Sequence, residues 1–271
     1  MVESSANKLQ KAVEMHKYFW MVTQDIYDNL RQIDGCENLK DLNATKTDGG
    51  YIQEMARKIG VPKENTFIDI RPSQKDLKKS YSKIMMASRT HTVDKEPHLI
   101  FVYVGGHGCT DNEKQIYLLN ESESSKAMFH IEFKLRYLIN DPMSTARIFA
   151  VYDCCRVKLS SMPGLVAGRG AGCGDFNEEE SEDETPCKYF HLQACGPGGI
   201  ADADGGFAER VLEQCKKFAA REPNKGFMEW PRDMMRVKWS PGQIANTGGD
   251  DYMVPFSDTP GYTPPPKRAG R

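Results

Sequence analysis

Two short stretches hold residue types that could do chemistry together. His107 stands in Gly105-Gly106-His107-Gly108, directly after the apolar run Leu99–Val104. Cys155 stands in Asp153-Cys154-Cys155-Arg156, directly after the apolar run Ile148–Tyr152. A thiol becomes a nucleophile when a neighbouring imidazole takes its proton, and that imidazole can then protonate a leaving amine. Continuous apolar runs suit strands buried on both faces of a parallel sheet. If these two strands are parallel neighbours, their ends lie ~5 Å apart and the histidine and cysteine meet at one edge. Glycines beside the histidine let a substrate backbone approach and leave amide N–H groups to hold it. Asp153 lies two residues before Cys155, so both project to the same side. A bare carboxylate there raises the thiol pKa, a conflict that a basic substrate side chain removes through a charge-assisted hydrogen bond. The competing reading of Asp153 is a loop cap or a partner for Arg156.

The elements that must position these residues follow from the pattern around them. Further strands are expected at Tyr18–Val22, Phe67–Ile70 and Tyr189–Ala194. Ile52, Met55, Ala56 and Ile59 form a helical stripe with Gly60 as a stop. Ser73 and Asp76 have capping-box spacing, ahead of a stripe at Leu77, Tyr81, Ile84 and Met85. Ile131, Leu135, Leu138 and Ile139 form a third stripe, and Phe207, Val211, Leu212 and Cys215 a fourth. Strand–helix alternation of this kind predicts a doubly wound α/β sheet, with ligands at the carboxyl ends of the strands.

LIFVYVGGHG (99–108) and IFAVYDCCR (148–156) resemble the caspase-like cysteine peptidases, a group that includes metacaspases and paracaspases. The separation, 155 − 107 = 48, is close to the ~50 residues usual between the two catalytic positions of caspases. YFWMVTQDIY (18–27), IGVPKENTFIDI (59–70) and ACGPGGIADADGGFAERVL (194–212) extend the resemblance over about 17–255. It implies a three-layer αβα sandwich around a mostly parallel central sheet. It implies a thiol endopeptidase with His107 and Cys155 as the dyad and Gly108 at the oxyanion position. The matching aspartate in metacaspases and paracaspases helps to seat Arg or Lys, so Asp153 is the substrate-binding candidate. Two stretches depart from the metacaspase pattern. Arg156-Val157-Lys158 replaces His-Ser-Gly, and Gly196-Pro197-Gly198-Gly199 stands where a second acidic pair is usual, with Asp202 and Asp204 displaced downstream. The alternative function is a catalytically inactive caspase-like scaffold or adaptor.

Other candidates rank lower. Cys195 follows Gln193-Ala194, but Pro197 breaks the caspase pentapeptide and 195 − 107 = 88 is too long. Cys154 points away from Cys155 by strand alternation and reads as a buried small thiol. Met85–Met86 and Met234–Met235 read as core filling. His16, His91, His98, His130 and His191 have no partner motif and read as surface or packing residues.

Composition bounds what remains. The 271 residues carry 36 Lys+Arg against 38 Asp+Glu, a net charge of −2 that points to no nucleic-acid or anionic-membrane partner. No apolar run approaches the ~18 residues of a membrane span. The N-terminus lacks a charged-then-apolar signal pattern, and the eight cysteines include no CxxC pair. A cytoplasmic protein with free thiols is expected, acting on a peptide or protein substrate and open to protein partners. The chemistry requires no cofactor and no metal residue is assigned; calcium binding stays open, although no EF-hand spacing supports it. The expected organisation is a lead-in over 1–16, one domain over 17–256 and a flexible tail over 257–271. The domain is interrupted near 160–188 by a flexible loop whose acidic run, 175–184, reads as solvated.

Overall fold

The computed structural model describes residues 15–43, 45–111, 114–140, 143–167, 189–195, 206–221 and 246–249. Residues 1–14 of the lead-in, the acidic run, Asp202, Asp204, Met234–Met235 and the tail lie outside them, whereas the end of the lead-in is core: Met15 is buried and His16 opens the first strand. In chain order the elements are β1 (His16–Thr23), α1 (Thr45–Ile59), β2 (Thr66–Ile70), α2 (Gln74–Val93), β3 (His98–Gly106), β4 (Gly108–Asp111) and β5 (Lys114–Leu118). Then come α3 (Ser124–Ala127), β6 (Met128–Phe129), α4 (Ile131–Ile139), β7 (Ala146–Cys154), β8 (Val157–Lys158), α5 (Pro163–Ala167), β9 (Tyr189–Gln193), α6 (Gly206–Arg221) and β10 (Asn246–Gly249).

The main sheet has the order β10-β9-β7-β3-β1-β2, with β10 antiparallel and the other five strands parallel. Its central strands are apolar on both faces because both faces are covered. Phe19, Phe101 and Phe149 stack across β1, β3 and β7 on one face, at centroid distances of 5.1 and 5.4 Å. Ile52, Met55, Ala56 and Ile59 of α1 and Phe207, Val211 and Leu212 of α6 close over them. On the other face Trp20, Val102, Val104, Ile148 and Tyr152 pack against Leu77, Tyr81 and Ile84 of α2 and Ile131, Leu135 and Leu138 of α4. Each such large side chain contributes about 1.5–3 kcal/mol by leaving water. This is the expected three-layer αβα sandwich around a mostly parallel sheet.

The helix boundaries follow the sequence signals. α1 ends at Gly60, whose φ of 83° suits a residue without Cβ. Ser73 and Asp76 form the capping box that opens α2. Met85 packs against the core but Met86 is 67% exposed, so only one of that pair fills it.

A second sheet, β6-β5-β4-β8, grows from the carboxyl ends of β3 and β7. It has its own apolar cluster around Tyr27, Leu30, Cys109, Ile116, Leu118, Met162 and Leu165. Met162 and Leu165 place residues 160–167, read from sequence as the start of the loop, inside this packed cluster. The chain enters the main sheet at β1, runs out to the β2 edge, then returns past β1 to β3 and on to β7 and β9. The β1/β3 boundary is thus where the winding reverses, and crevices open at the carboxyl ends of strands beside such a point.

Candidate active site

The two candidate residues sit where the main sheet hands over to the small one. In the main sheet Gly105 faces Asp153 and Gly106 faces Cys154. In the small sheet Cys109 faces Val157 and Thr110 faces Lys158. The offset is the same on both sides: 153 − 105 = 48 and 157 − 109 = 48. His107 and Cys155 therefore occupy facing positions in the gap between the two ladders. The backbone there is drawn close, and the glycines permit it. A Cβ on Gly108 would collide with Gln115 Nε2 and lie 3.0 Å from the Cys155 carbonyl oxygen. Gly106 has φ 147°, and a Cβ there would lie 2.6 Å from the Tyr27 hydroxyl.

His107 is held from three directions. Its backbone N–H donates to the Tyr27 hydroxyl at 2.7 Å, and that hydroxyl donates to the Gln24 carbonyl at 2.9 Å. The Tyr27 ring tilts against the imidazole with centroids 4.5 Å apart. Imidazole Nε2 lies 2.8 Å from the Lys40 carbonyl. A carbonyl only accepts, so Nε2 carries the proton and, in the neutral ring, Nδ1 keeps its lone pair. Burial pushes the His107 pKa below its usual 6.5, against the opposing pull of the Lys40 carbonyl and of Asp41. At neutral pH the ring is accordingly uncharged and able to accept a proton. The loop that presents Lys40 is braced by Arg31, which bonds Asp28 and Asp41, and by Asp41, which accepts from the Tyr27 N–H. Arg71 makes a two-point contact with Asp25 at 2.6 and 2.8 Å, tying down the turn that follows β1.

Cys155 is partly exposed, whereas Cys154, Cys195, Cys109 and Cys36 are buried. Cys154 faces Val104, Tyr117 and Tyr152, as strand alternation predicts, and burial drives its thiol pKa well up. Cys195 is 3% exposed, lies 3.6 Å from the Cys154 carbonyl, and burial raises its pKa to about 11. Neither buried thiol ionises near neutral pH. The Cys155 carbonyl is clamped by Gln115 Nε2 at 3.1 Å, and the Gln115 N–H is in turn anchored on Glu132 at 2.8 Å.

Asp153 accepts a hydrogen bond from the Tyr103 hydroxyl at 3.1 Å. A second carboxylate joins it that the strand-end search missed. Asp48 lies in the first turn of α1, only 5% exposed, and its Oδ1 has no hydrogen-bond partner. Burial first, then the charges of Asp153 and Glu209, raise its pKa to about 7. The signal was available. Position 48 falls four residues before Ile52, on the same helical stripe as Met55, Ala56 and Ile59, and a carboxylate on a core-facing stripe needs a reason. Tyr27 and Gln115 act through backbone groups and leave no comparable mark in the sequence.

Among the described residues no helix is long and apolar enough to cross a membrane. No protein-family model matches the chain, and no curated protein matches it. Solved structures do. The crystal structure of caspase-1 from Spodoptera frugiperda is 9% identical and superposes over 92% of each chain with a TM-score of 0.56. The structure of pro-sf-caspase-1 is 11% identical over 86% of this chain and 87% of its own, with a TM-score of 0.46. With its strand order, its three layers and that superposition, the chain has a caspase-like fold.

Proposed function

We propose that this protein is a cysteine endopeptidase that cuts peptide or protein chains after Arg or Lys. The observation that carries the reading is the shared offset of 48 on both sides of the sheet junction, which sets His107 opposite Cys155. The Cys155 thiol gives its proton to His107 Nδ1 while the sulfur attacks the scissile carbonyl carbon. The carbonyl π bond opens and its oxygen becomes an anion, which the N–H groups of Gly108 and Cys155 receive; such donors are often worth ~3 kcal/mol each. The imidazolium then returns its proton to the amine nitrogen as the C–N bond breaks, leaving a thioester. Water hydrolyses that thioester with His107 as base, which restores the thiol. Every proton moves between groups of the chain, its substrate and water, so the reaction draws on no cofactor.

Asp153 and Asp48 supply the basic preference. The unpartnered Asp48 oxygen and its raised pKa describe a carboxylate short of a cation. A substrate guanidinium or ammonium supplies one and favours the ionised form of Asp48 beside Asp153. The test offers the purified protein fluorogenic peptides ending in Arg, Lys or Asp before the reporter amide. Turnover is expected after Arg and Lys and little after Asp. Cys155→Ala abolishes it, Cys195→Ala keeps most of it, and Asp153→Asn raises KM for basic peptides. Turnover that survives Cys155→Ala and dies with Cys195→Ala sinks the assignment. No turnover with any peptide shifts the weight to a catalytically inactive scaffold.

A further inference from the structure

The opposite end of the sheet carries a second cluster that the proposed peptidase chemistry does not use. His16 opens β1, His91 lies in the last turn of α2, and Glu96 lies between α2 and β3. Glu96 Oε2 is 3.0 Å from His16 Nε2 and 2.9 Å from His91 Nδ1. The three ligand atoms all lie within 4.8 Å of one another. The dyad is about 26 Å away along β3, at ~3.3 Å per residue.

We propose that His16, His91 and Glu96 form a zinc-binding site. Two imidazoles and one carboxylate are a donor set that suits Zn²⁺, with a fourth position left for water. Zinc–ligand bonds are about 2.0–2.2 Å, which sets tetrahedral ligands ~3.3 Å apart, close to the spacing already present. The imidazole rings of His16 and His91 stack with centroids 4.0 Å apart and must part slightly to admit an ion. His16 can swing, because its side chain is 42% exposed; Glu96 is equally open, and His91 is the buried anchor at 11%.

The backbone holds these groups together before any ion arrives. α2 ends in a Schellman motif: the Glu96 N–H donates to the His91 carbonyl at 2.8 Å and the Lys95 N–H to the Thr92 carbonyl at 3.2 Å. Lys95 takes the left-handed position with φ 57°. That turn folds Glu96 back over His91. His16 is fixed beside them by its N–H bond to the Pro97 carbonyl at 3.3 Å and by its register with His98. A further support for the metal-binding nitrogen is present. The Tyr18 hydroxyl lies 2.7 Å from His91 Nε2, so a His91 that binds metal through Nδ1 donates its Nε2–H to Tyr18. The site joins residues 75 apart in sequence, 91 − 16, so no ligand spacing announces it.

The test titrates the full chain, as Cys155→Ala to remove the one thiol that is partly exposed among the described residues, with Zn²⁺ by calorimetry and with Co²⁺ by absorption. One equivalent of each is expected, and the cobalt complex should show visible d–d bands without a near-ultraviolet thiolate band. His16→Gln and Glu96→Gln change exposed side chains, and near-ultraviolet circular dichroism confirms that they fold. Each should weaken zinc at least tenfold, and Tyr18→Phe, which keeps all three ligands, about tenfold. Absence of binding, a thiolate-to-cobalt band, or an affinity unchanged by His16→Gln and Glu96→Gln overturns the proposal.

Discussion

Replacing Asp48 by Asn should make the protein more stable and weaken the proposed cleavage after basic residues, and the two effects should separate with pH. The folded-state pKa of Asp48 is about 7 against an ordinary 3.8. Between those values the folded chain keeps a proton that the unfolded chain has lost. Stability therefore falls as pH rises from about 4 through about 7, and the loss is complete above that. A gap of 7 − 3.8 = 3.2 pH units, at ~1.36 kcal/mol each, is worth about 4 kcal/mol. Solvent screening takes away part of this, so about 2–4 kcal/mol is the expected cost. Asn has no such titration and carries no charge to be repelled by Asp153. Urea unfolding at about pH 8 should find Asp48→Asn more stable by that amount, and by less than half of it at about pH 5. The same change should raise KM for Arg peptides, since one of two carboxylates facing the guanidinium is gone. A variant that is less stable at about pH 8, or a difference independent of pH, refutes the reasoning, because Asp48 would then already have a stabilising partner.

Two more outcomes follow from the supports. Tyr27→Phe strips the buried His107 N–H of its acceptor and the Gln24 carbonyl of its donor; a loss of about 1–3 kcal/mol in urea unfolding is expected, and an unchanged midpoint would mean the hydroxyl carries nothing. His191 is buried, and burial together with Arg136 and Arg156, against the pull of Glu132, brings its pKa down to about 4. Below 6.5 the unfolded chain takes up a proton that the folded one refuses, so stability should fall from about pH 6.5 towards pH 4 by about 3 kcal/mol from this residue. His191→Gln should flatten that limb, and an acid limb identical to wild type would place the loss elsewhere.

β1, β3 and β7 were legible because each is a nearly continuous apolar run, as burial on both faces requires, whereas β2, at the sheet edge with Ile68 and Ile70 exposed, and β9, with His191 and Gln193, gave weaker signals. The helices were legible because Ile52 to Ile59 and Leu77 to Ile84 repeat at helical spacing between recognisable stops. The histidine–cysteine pairing needed one more assumption, that the strands before them are neighbours in register. The ladder from His98↔Ala146 to Gly106↔Cys154 meets it without a bulge. Asp48 left no mark at a strand end, because its carboxylate comes from the first turn of a helix packed on the sheet. The hydroxyl of Tyr27 and the amide of Gln115 escaped for a different reason. They act on backbone N–H and C=O groups, which every residue has, so no side-chain type at a fixed spacing betrays the partner.

The position of Asp48 bears on how the proposed pocket would work. Asp153 arrives at the end of β7, two residues before the proposed nucleophile Cys155, so the backbone at the strand end sets their separation. Asp48 arrives on α1, whose placement depends on Ile52, Met55, Ala56 and Ile59 packing over the stacked Phe19, Phe101 and Phe149. Core packing under α1 therefore sets how closely the two carboxylates approach, and with that how strongly the empty pocket resists holding both charges. In the proposed enzyme an entering cation relieves the repulsion felt by Asp48, so part of the gain from binding a basic residue is relief of strain already present at Asp48 in the free protein. A conservative core change such as Met55→Leu should leave the proposed dyad in place, set between β3 and β4 and between β7 and β8, while altering the proposed basic preference, which would tie substrate selection to the helix layer and bond cleavage to the sheet junction.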